Sequence, residues 1–373
     1  MRNKLVAAAI AGLVAVPAGA QAESEVSWFG FSQITAHTTD EYTGAEGDAN
    51  GGGLAFGADR IRIGYKADHT GGAHSKLQVD FLQTGTNQVA NIIKDAVVGY
   101  KLGNVDIQAG MRKTPIGMDF NTSGKKLDIV NRGMEKSWVF ERSAGAFVFG
   151  DAGPLGYAVF LTNPASRGAA AGHDDPDTPG TTEGWVLGED MAYGGRLSYD
   201  MGKMLHAEIS YGVSTMTYDN VGIDTTGNGN IDTSVAADDL TNLDIGLKSQ
   251  PMPGLTLKAE YLAASGVGNV EDQDRTVWFV HGGYEFTPMM EGVVRHYSSN
   301  ADNGTDDWTL SETYLGLNIF LNPEVHHESR IQVNYILPSG DTDEMTGLHR
   351  TGTVSDEDGE QVGTIKAMFQ TSF

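Results

Sequence analysis

An all-β fold is predicted for this chain: a single transmembrane antiparallel β-barrel of about sixteen strands with an inward-folded third loop. Three observations predict it. Apolar and polar residues alternate with period two in segment after segment, as they must in a strand with lipid on one face and water on the other. The chain closes on Phe373, and stepping back by twos gives Thr371, Phe369, Ala367 and Ile365, an apolar-leaning face ending in a ring suited to a membrane interface. Beyond residue 22 no run approaches the ~20 consecutive apolar residues that a spanning helix needs, so only a closed barrel is left to span a bilayer.

The start of the chain supplies the compartment. Arg2 and Lys4 are basic, an apolar run covers residues 5–16, and Ala20-Gln21-Ala22 is a small-x-small cleavage site. Together they read as a secretory signal peptide over 1–22, leaving 23–373 as one barrel domain with no Pro-rich linker dividing it. An exported chain ending in Phe points to the outer membrane of a Gram-negative cell, with outer-membrane lipid and lipopolysaccharide as its surroundings. Cysteine is absent, which excludes thiol chemistry and cysteine metal sites and leaves sheet closure to replace disulfides. The formal charge of −24 disfavours nucleic acid as a partner. Acidic residues crowd the stretches 40–48, 174–177, 302–307 and 341–360, which read as solvated loops.

The strands follow in order. The first is expected near 26–37. Arg60, Arg62, Gly64 and Lys66 alternate with Ile61, Ile63 and Tyr65 in a second over 54–66, and Lys76, Gln78 and Asp80 with Leu77, Val79 and Phe81 in a third over 74–84. A fourth covers 92–102. Asp106, Gln108, Gly110 and Arg112 alternate with Val105, Ile107, Ala109 and Met111 in a fifth over 105–112. Further strands are expected at 144–150, 156–163, 189–200, 204–215 and 239–249. Lys258 and Glu260 stand against Leu257, Ala259 and Tyr261 in the strand at 255–265, which 274–287, 290–298 and 308–322 follow. Arg330, Gln332 and Asn334 alternate with Ile331, Val333 and Tyr335 in 327–338, and 361–373 closes the set.

Connections alternate between short and long. The short ones, at 68–73, 102–104, 151–155, 201–203, 250–254, 287–289 and 322–326, read as periplasmic turns. Tyr65, Tyr100, Tyr199, Tyr284 and Phe320 fall near them, where an aromatic girdle is expected. The long connections would face outward.

One connection differs from the acidic loops. Residues 113–143 carry Lys113, Lys125, Lys126, Arg132, Lys136 and Arg142 together with Phe120, Met134, Trp138 and Phe140. A loop that is both basic and apolar suits folding into the lumen to narrow it. Strand parity independently assigns inward-facing cations at Arg60, Arg62, Lys66, Lys76, Arg112, Arg196, Lys248, Lys258, Arg275, Arg295 and Arg330, against Asp80, Asp106, Glu208, Asp244 and Glu260. A lumen that leans positive lowers the entry barrier for anions.

The stretch Gly110-Met111-Arg112-Lys113-Thr114-Pro115-Ile116-Gly117, followed by Glu141-Arg142-Ser143 and then Asp151-Ala152-Gly153-Pro154-Leu155-Gly156-Tyr157, resembles the phosphate-selective porin O and P family. There a Gly-x-x-Lys/Arg-x-Pro-x-Gly turn opens the third loop, Glu-Arg-Ser closes it and a tight Gly-containing hairpin follows. The resemblance extends to Asn318-Ile319-Phe320-Leu321-Asn322-Pro323 before the penultimate strand. It implies a sixteen-stranded homotrimeric channel for passive diffusion of small inorganic anions or other hydrophilic solutes, held by inward arginines and lysines. Lys113, Arg142 and Arg112 occupy the motif positions. With Arg132 they are the expected pore constriction, and Arg60, Arg62, Lys76, Arg196, Lys258, Arg295 and Arg330 the expected lumen lining. Arg142 has a second reading as a brace, pairing with Glu141 or Glu135.

Other motifs weigh less. Asp224-Thr225-Thr226-Gly227-Asn228-Gly229-Asn230-Ile231-Asp232 matches much of a calcium loop, but Val235 stands where the bidentate Glu belongs. His326 and His327 are adjacent, so on a strand they point to opposite faces and joint metal ligation is awkward. There is no Gly-x-Ser-x-Gly elbow. No catalytic residue, metal or cofactor is expected. The reading from a different class is a non-conducting barrel that acts as an adhesin or receptor through its acidic loops, since one architecture serves unrelated functions.

Overall fold

The computed structural model describes residues 24–39, 54–82, 92–164, 173–174, 182–183, 190–217, 219–223, 233–341, 353–355 and 361–373. The expected signal peptide over 1–22 and the calcium-like stretch 224–232 lie outside the described residues, as do most of the acidic segments. Sixteen strands follow one another antiparallel around a closed barrel, and the last pairs with the first. They are β1 (Ser24–Thr39), β2 (Leu54–His69), β3 (Ala73–Asp80), β4 (Ile93–Leu102), β5 (Val105–Lys113), β6 (Arg142–Ala152), β7 (Leu155–Thr162) and β8 (Ala192–Asp200). The second half holds β9 (His206–Ser214), β10 (Leu240–Met252), β11 (Leu255–Ser265), β12 (Asp274–Thr287), β13 (Met290–Asp302), β14 (Asp307–Phe320), β15 (Ser329–Gly340) and β16 (Thr364–Ser372). Each expected strand coincides with one of these, because the dyad pattern that reveals a strand is the same pattern that pays for placing it between lipid and water.

The seam is made by the strand that ends the chain. β16 pairs β1 from Phe31 with Ser372 to Thr39 with Thr364, and beyond the ladder Gly30 and Phe373 exchange backbone hydrogen bonds of 3.2 and 3.1 Å. Ile365 and Phe369 point outward, as do Trp28, Ile63, Val98, Leu161, Leu197, Val294 and Leu315 from other strands. Trp28 is 64% and Leu197 62% exposed. So continuous an apolar exterior is what a bilayer covers. Tyr199 and Tyr284 join this surface near the short-turn end, and Tyr65 meets Trp28 edge-on at 5.9 Å between ring centroids. Phe320 does not. It is buried, because even positions of β14 face inward with Glu312, Tyr314 and Asn318, and its ring stacks on His326 at 4.0 Å.

Short paired strands decorate the long connections: His173–Asp174 with Thr182–Glu183, Asn220–Ile223 with Thr233–Ala236, and Val354–Ser355 with Gln361–Val362. The connection between β5 and β6 instead turns into the lumen. It carries one short helix, α1 (Met118–Asn121), and 3-10 turns at Gly124–Lys126 and Met134–Ser137. The apolar core therefore lies inside the barrel. Ile116, Met118, Phe120, Ile129, Met134, Trp138, Val139 and Phe140 of the loop bury themselves against Phe147, Phe160, Leu262, Val277, Phe279, Tyr297, Tyr314 and Ile336 of the wall.

Candidate pore constriction

Hydrophobic burial holds the loop in the lumen, and side chains on the wall decide where its backbone sits. Buried backbone amides and carbonyls need partners, and the wall supplies them one by one. Gln33 of β1 donates to the Gly124 carbonyl at 3.0 Å, Gln332 of β15 to that of Leu127 at 3.2 Å, and Asn318 of β14 to that of Asp128 at 3.0 Å. Gln370 of β16 and Arg330 of β15 both donate to the Lys125 carbonyl. Amides of the loop donate in turn: Val130 to Asn334 Oδ1 at 2.6 Å, Phe140 to Asn242 Oδ1 at 2.9 Å, Gly117 to Ser210 Oγ at 3.2 Å and Asp119 to Glu260 Oε2 at 2.8 Å. Each such bond contributes about 1 kcal/mol net, and together they fix the loop against β1, β9–β11 and β14–β16.

Asp128 is the ionic anchor. Its Oδ2 lies 2.5 Å from Lys258 Nζ and 2.9 Å from Arg295 Nη2. Burial opposes charge there, yet Lys258, His281 and Arg295 together hold the carboxyl below the usual range. Asp119 is similar: burial opposes its charge, and Arg295, Lys258 and Arg132 outweigh it. Glu135 is the exception. Burial, with Asp119 beside it, pushes its carboxyl up to about 7 against the pull of Arg295 and Arg132.

Docking on that wall leaves the opposite side open. A cavity of about 640 Å³ runs between the loop and β1–β6, lined by Arg62, Lys66, Lys76, Lys101, Arg112, Lys113, Lys125 and Arg142 against Asp68, Asp95 and Asp106. A second, of about 520 Å³, lies at the short-turn end of β8–β10 with Arg196, Lys203, His206 and Lys248 against Asp200 and Glu208. Asn121 of α1 borders both. Asp68, Asp95 and Asp200 are missing from the parity reading of these cavities, and Asp95 matters most. It pairs with Lys76 and, at 3.3 Å, with Arg142 Nε.

The expected constriction residues divide. Lys113 and Arg142 are opposite each other at the last β5–β6 rung and Arg112 is opposite Ser143, so these three cations meet at the open cavity. Arg112 lies 4.2 Å from the Phe149 ring centroid and bonds Gln108. Lys113 donates to the Phe120 and Thr122 carbonyls, bracing the loop while it borders the cavity. Arg142 braces through Asp95 of β4, a partner not foreseen. Arg132 does not line open water. It is buried, donates to the Asp119 and Thr122 carbonyls, and stands over Phe120, so it holds the loop in shape.

The expected lining divides likewise. Arg62 and Lys76 face the first cavity and Arg196 the second. Lys258, Arg295, Arg330 and Arg60 are sealed beneath the loop at 8%, 1%, 1% and 5% exposure. Parity placed them correctly on the inner face, but parity knows nothing of what covers that face. Among residues the sequence reading missed, Asp128 and Asp119 gave no signal, because a loop has no parity. Gln33, Gln370 and Asn242 had one: uncharged amides facing inward where an aqueous wall would carry charges. His326 stacks on Phe320, while burial, Arg330 and Lys126 push the His327 imidazole down to about 3. Among the described residues no group of three His, Asp or Glu is placed to hold a metal ion.

The family model described as Gram-negative porin matches residues 7–317. The chain belongs to the Gram-negative porin family. No curated protein matches this porin significantly. Solved structures do. OmpT of Vibrio cholerae, in vitro folded and in its trimer form, is 12% identical with a TM-score of 0.64, over 94% of this chain and 99% of that chain. The anion-selective porin from Comamonas acidovorans is 13% identical at 0.61, over 94% and 100%. The outer membrane channel DcaP of Acinetobacter baumannii is 14% identical at 0.61, over 94% and 97%. At these identities the likeness shows the barrel fold alone. Family and fold make this chain an outer-membrane channel, without establishing its finer assignment to the phosphate-selective members.

Proposed function

We propose that this porin is an anion-preferring diffusion channel whose conducting path is the open side of the lumen, past Arg112, Lys113 and Arg142. One observation carries the reading: the cavity beside the loop is lined by eight lysines and arginines against three carboxylates. In a narrow channel with low-dielectric walls this imbalance favours anions, and neutralisation by Asp95 keeps binding weak enough for release. The same partial neutralisation argues for small inorganic anions and hydrophilic solutes in general over tight phosphate selection. The anion-selective porin from Comamonas acidovorans shares the fold. A homotrimer is the assembly favoured, since a related barrel is described in a trimer form; crosslinking of the detergent-solubilised protein tests it. Export by a leader over 1–22, with lipid and lipopolysaccharide around the barrel, belongs to the same reading.

The decisive measurement is the single-channel reversal potential in a potassium chloride gradient. A potential of the sign set by chloride is expected; one set by potassium overturns the reading. An absence of conductance would favour the receptor alternative.

A further inference from the structure

Beside the conducting cavity the wall carries a pairing that folding does not favour. Lys66 of β2 and Lys76 of β3 stand directly opposite each other in the β2–β3 register, both facing the lumen. Like charges directly opposite destabilise a sheet. Asp95 compensates Lys76, whereas Lys66 has no carboxylate within ion-pair distance among the described residues.

Both ammonium groups approach the same ring. Lys66 Nζ and Lys76 Nζ each lie 5.9 Å from the Phe29 centroid. Phe29 is the cross-strand partner of Gly64, and a Cβ at Gly64 would come within 2.7 Å of Phe29 Cζ. Only a glycine lets the ring lie down on the β2 backbone, where it borders the cavity with the two lysines. Lys66 supplies positive charge that no carboxylate compensates, Lys76 stands beside it paired with Asp95, and the ring supplies an aromatic surface next to both. Chloride and inorganic oxyanions use the first feature and have no use for the second.

We propose that Phe29, Lys66 and Lys76 form a subsite for organic carboxylates with a flat aromatic body, the carboxylate taken by the lysines and the ring stacked on Phe29. This rests on the anion-preferring reading and names a substrate class for it. Aromatic pairing beyond simple burial corresponds to about a three- to tenfold gain in affinity.

The test compares block of chloride current through the purified porin in planar bilayers by benzoate, cyclohexanecarboxylate and phosphate. Benzoate is expected to reach half-block at about a three- to tenfold lower concentration than cyclohexanecarboxylate, which has the charge and bulk without the π-face. F29L is expected to remove that advantage. Equal half-block by the two carboxylates, or an advantage that survives F29L, overturns the proposal. Phosphate blocking at the lowest concentration overturns it too. Should F29L not fold, K66Q decides: block by both carboxylates weakens at least about twofold, and unchanged block is fatal. The reversal potential separates the two failures. A chloride-signed potential with equal block removes the subsite alone, whereas a potassium-signed potential removes the anion reading.

Discussion

Asp128 of the folded-in loop and Arg295 of β13 form an ion pair, with 2.9 Å between Oδ2 and Nη2, and it ties the loop to the far wall of the barrel. Lys258 shares the same oxygen. Asp128→Asn leaves buried Lys258 without its ion-pair partner and Arg295 with Asp119 alone, at 3.5 Å, at a cost of about 3–5 kcal/mol. The expected outcome is a loop released from the wall, read as a larger and noisier single-channel conductance and a lower melting temperature. An unchanged conductance would mean that the loop is held by its apolar contacts alone.

Cations on the two sides of the loop should behave differently. Arg142→Gln together with Arg112→Gln removes charge from the open cavity, so the chloride-to-potassium permeability ratio should fall about two- to fivefold. Arg330→Gln removes a charge sealed beneath the loop at 1% exposure and should leave the ratio unchanged while lowering thermal stability. The reversed pattern would place the conducting path on the other side.

Of the glycines in the loop, Gly133 has the least space for a side chain. A Cβ there would lie 2.1 Å from Tyr297 Cζ and 2.2 Å from its hydroxyl oxygen, and Tyr297 is fully buried with no room to retreat. Gly133→Ala should cost about 1–3 kcal/mol through overpacking, measured as a fall in melting temperature. Tyr297→Leu in the same chain should restore part of it by opening the space.

Loop docking should depend on pH through Glu135. Its carboxyl rises from an ordinary value of 4.5 to about 7 when the loop is docked. A group whose docked value is raised favours docking while it is protonated, so this contribution is whole below about pH 4.5 and is lost as pH climbs through 7. The docked loop should therefore weaken by about 3 kcal/mol between pH 4.5 and 8, seen as growing conductance noise. Glu135→Gln should flatten that dependence, and a noise profile identical to wild type would refute the assignment.

The sequence by itself determined the barrel. Lipid demands an apolar residue at every second position and a lumen tolerates polar ones between, so all sixteen strands and the inner face of Arg295 and Arg330 were legible from parity. The composition of the 113–143 loop also showed that it enters the lumen. Only the tertiary structure decided which inner surface stays wet. Parity distinguishes in from out but carries no information about the azimuth at which a loop docks, and that choice rests on long-range partners such as Asn334 for Val130 and Lys258 for Asp128. Those contacts turned Arg132, Arg295 and Arg330 from expected pore residues into buried anchors. They left Arg112, Lys113 and Arg142 facing water, because the apolar half of the loop had to find the aromatic wall on the other side.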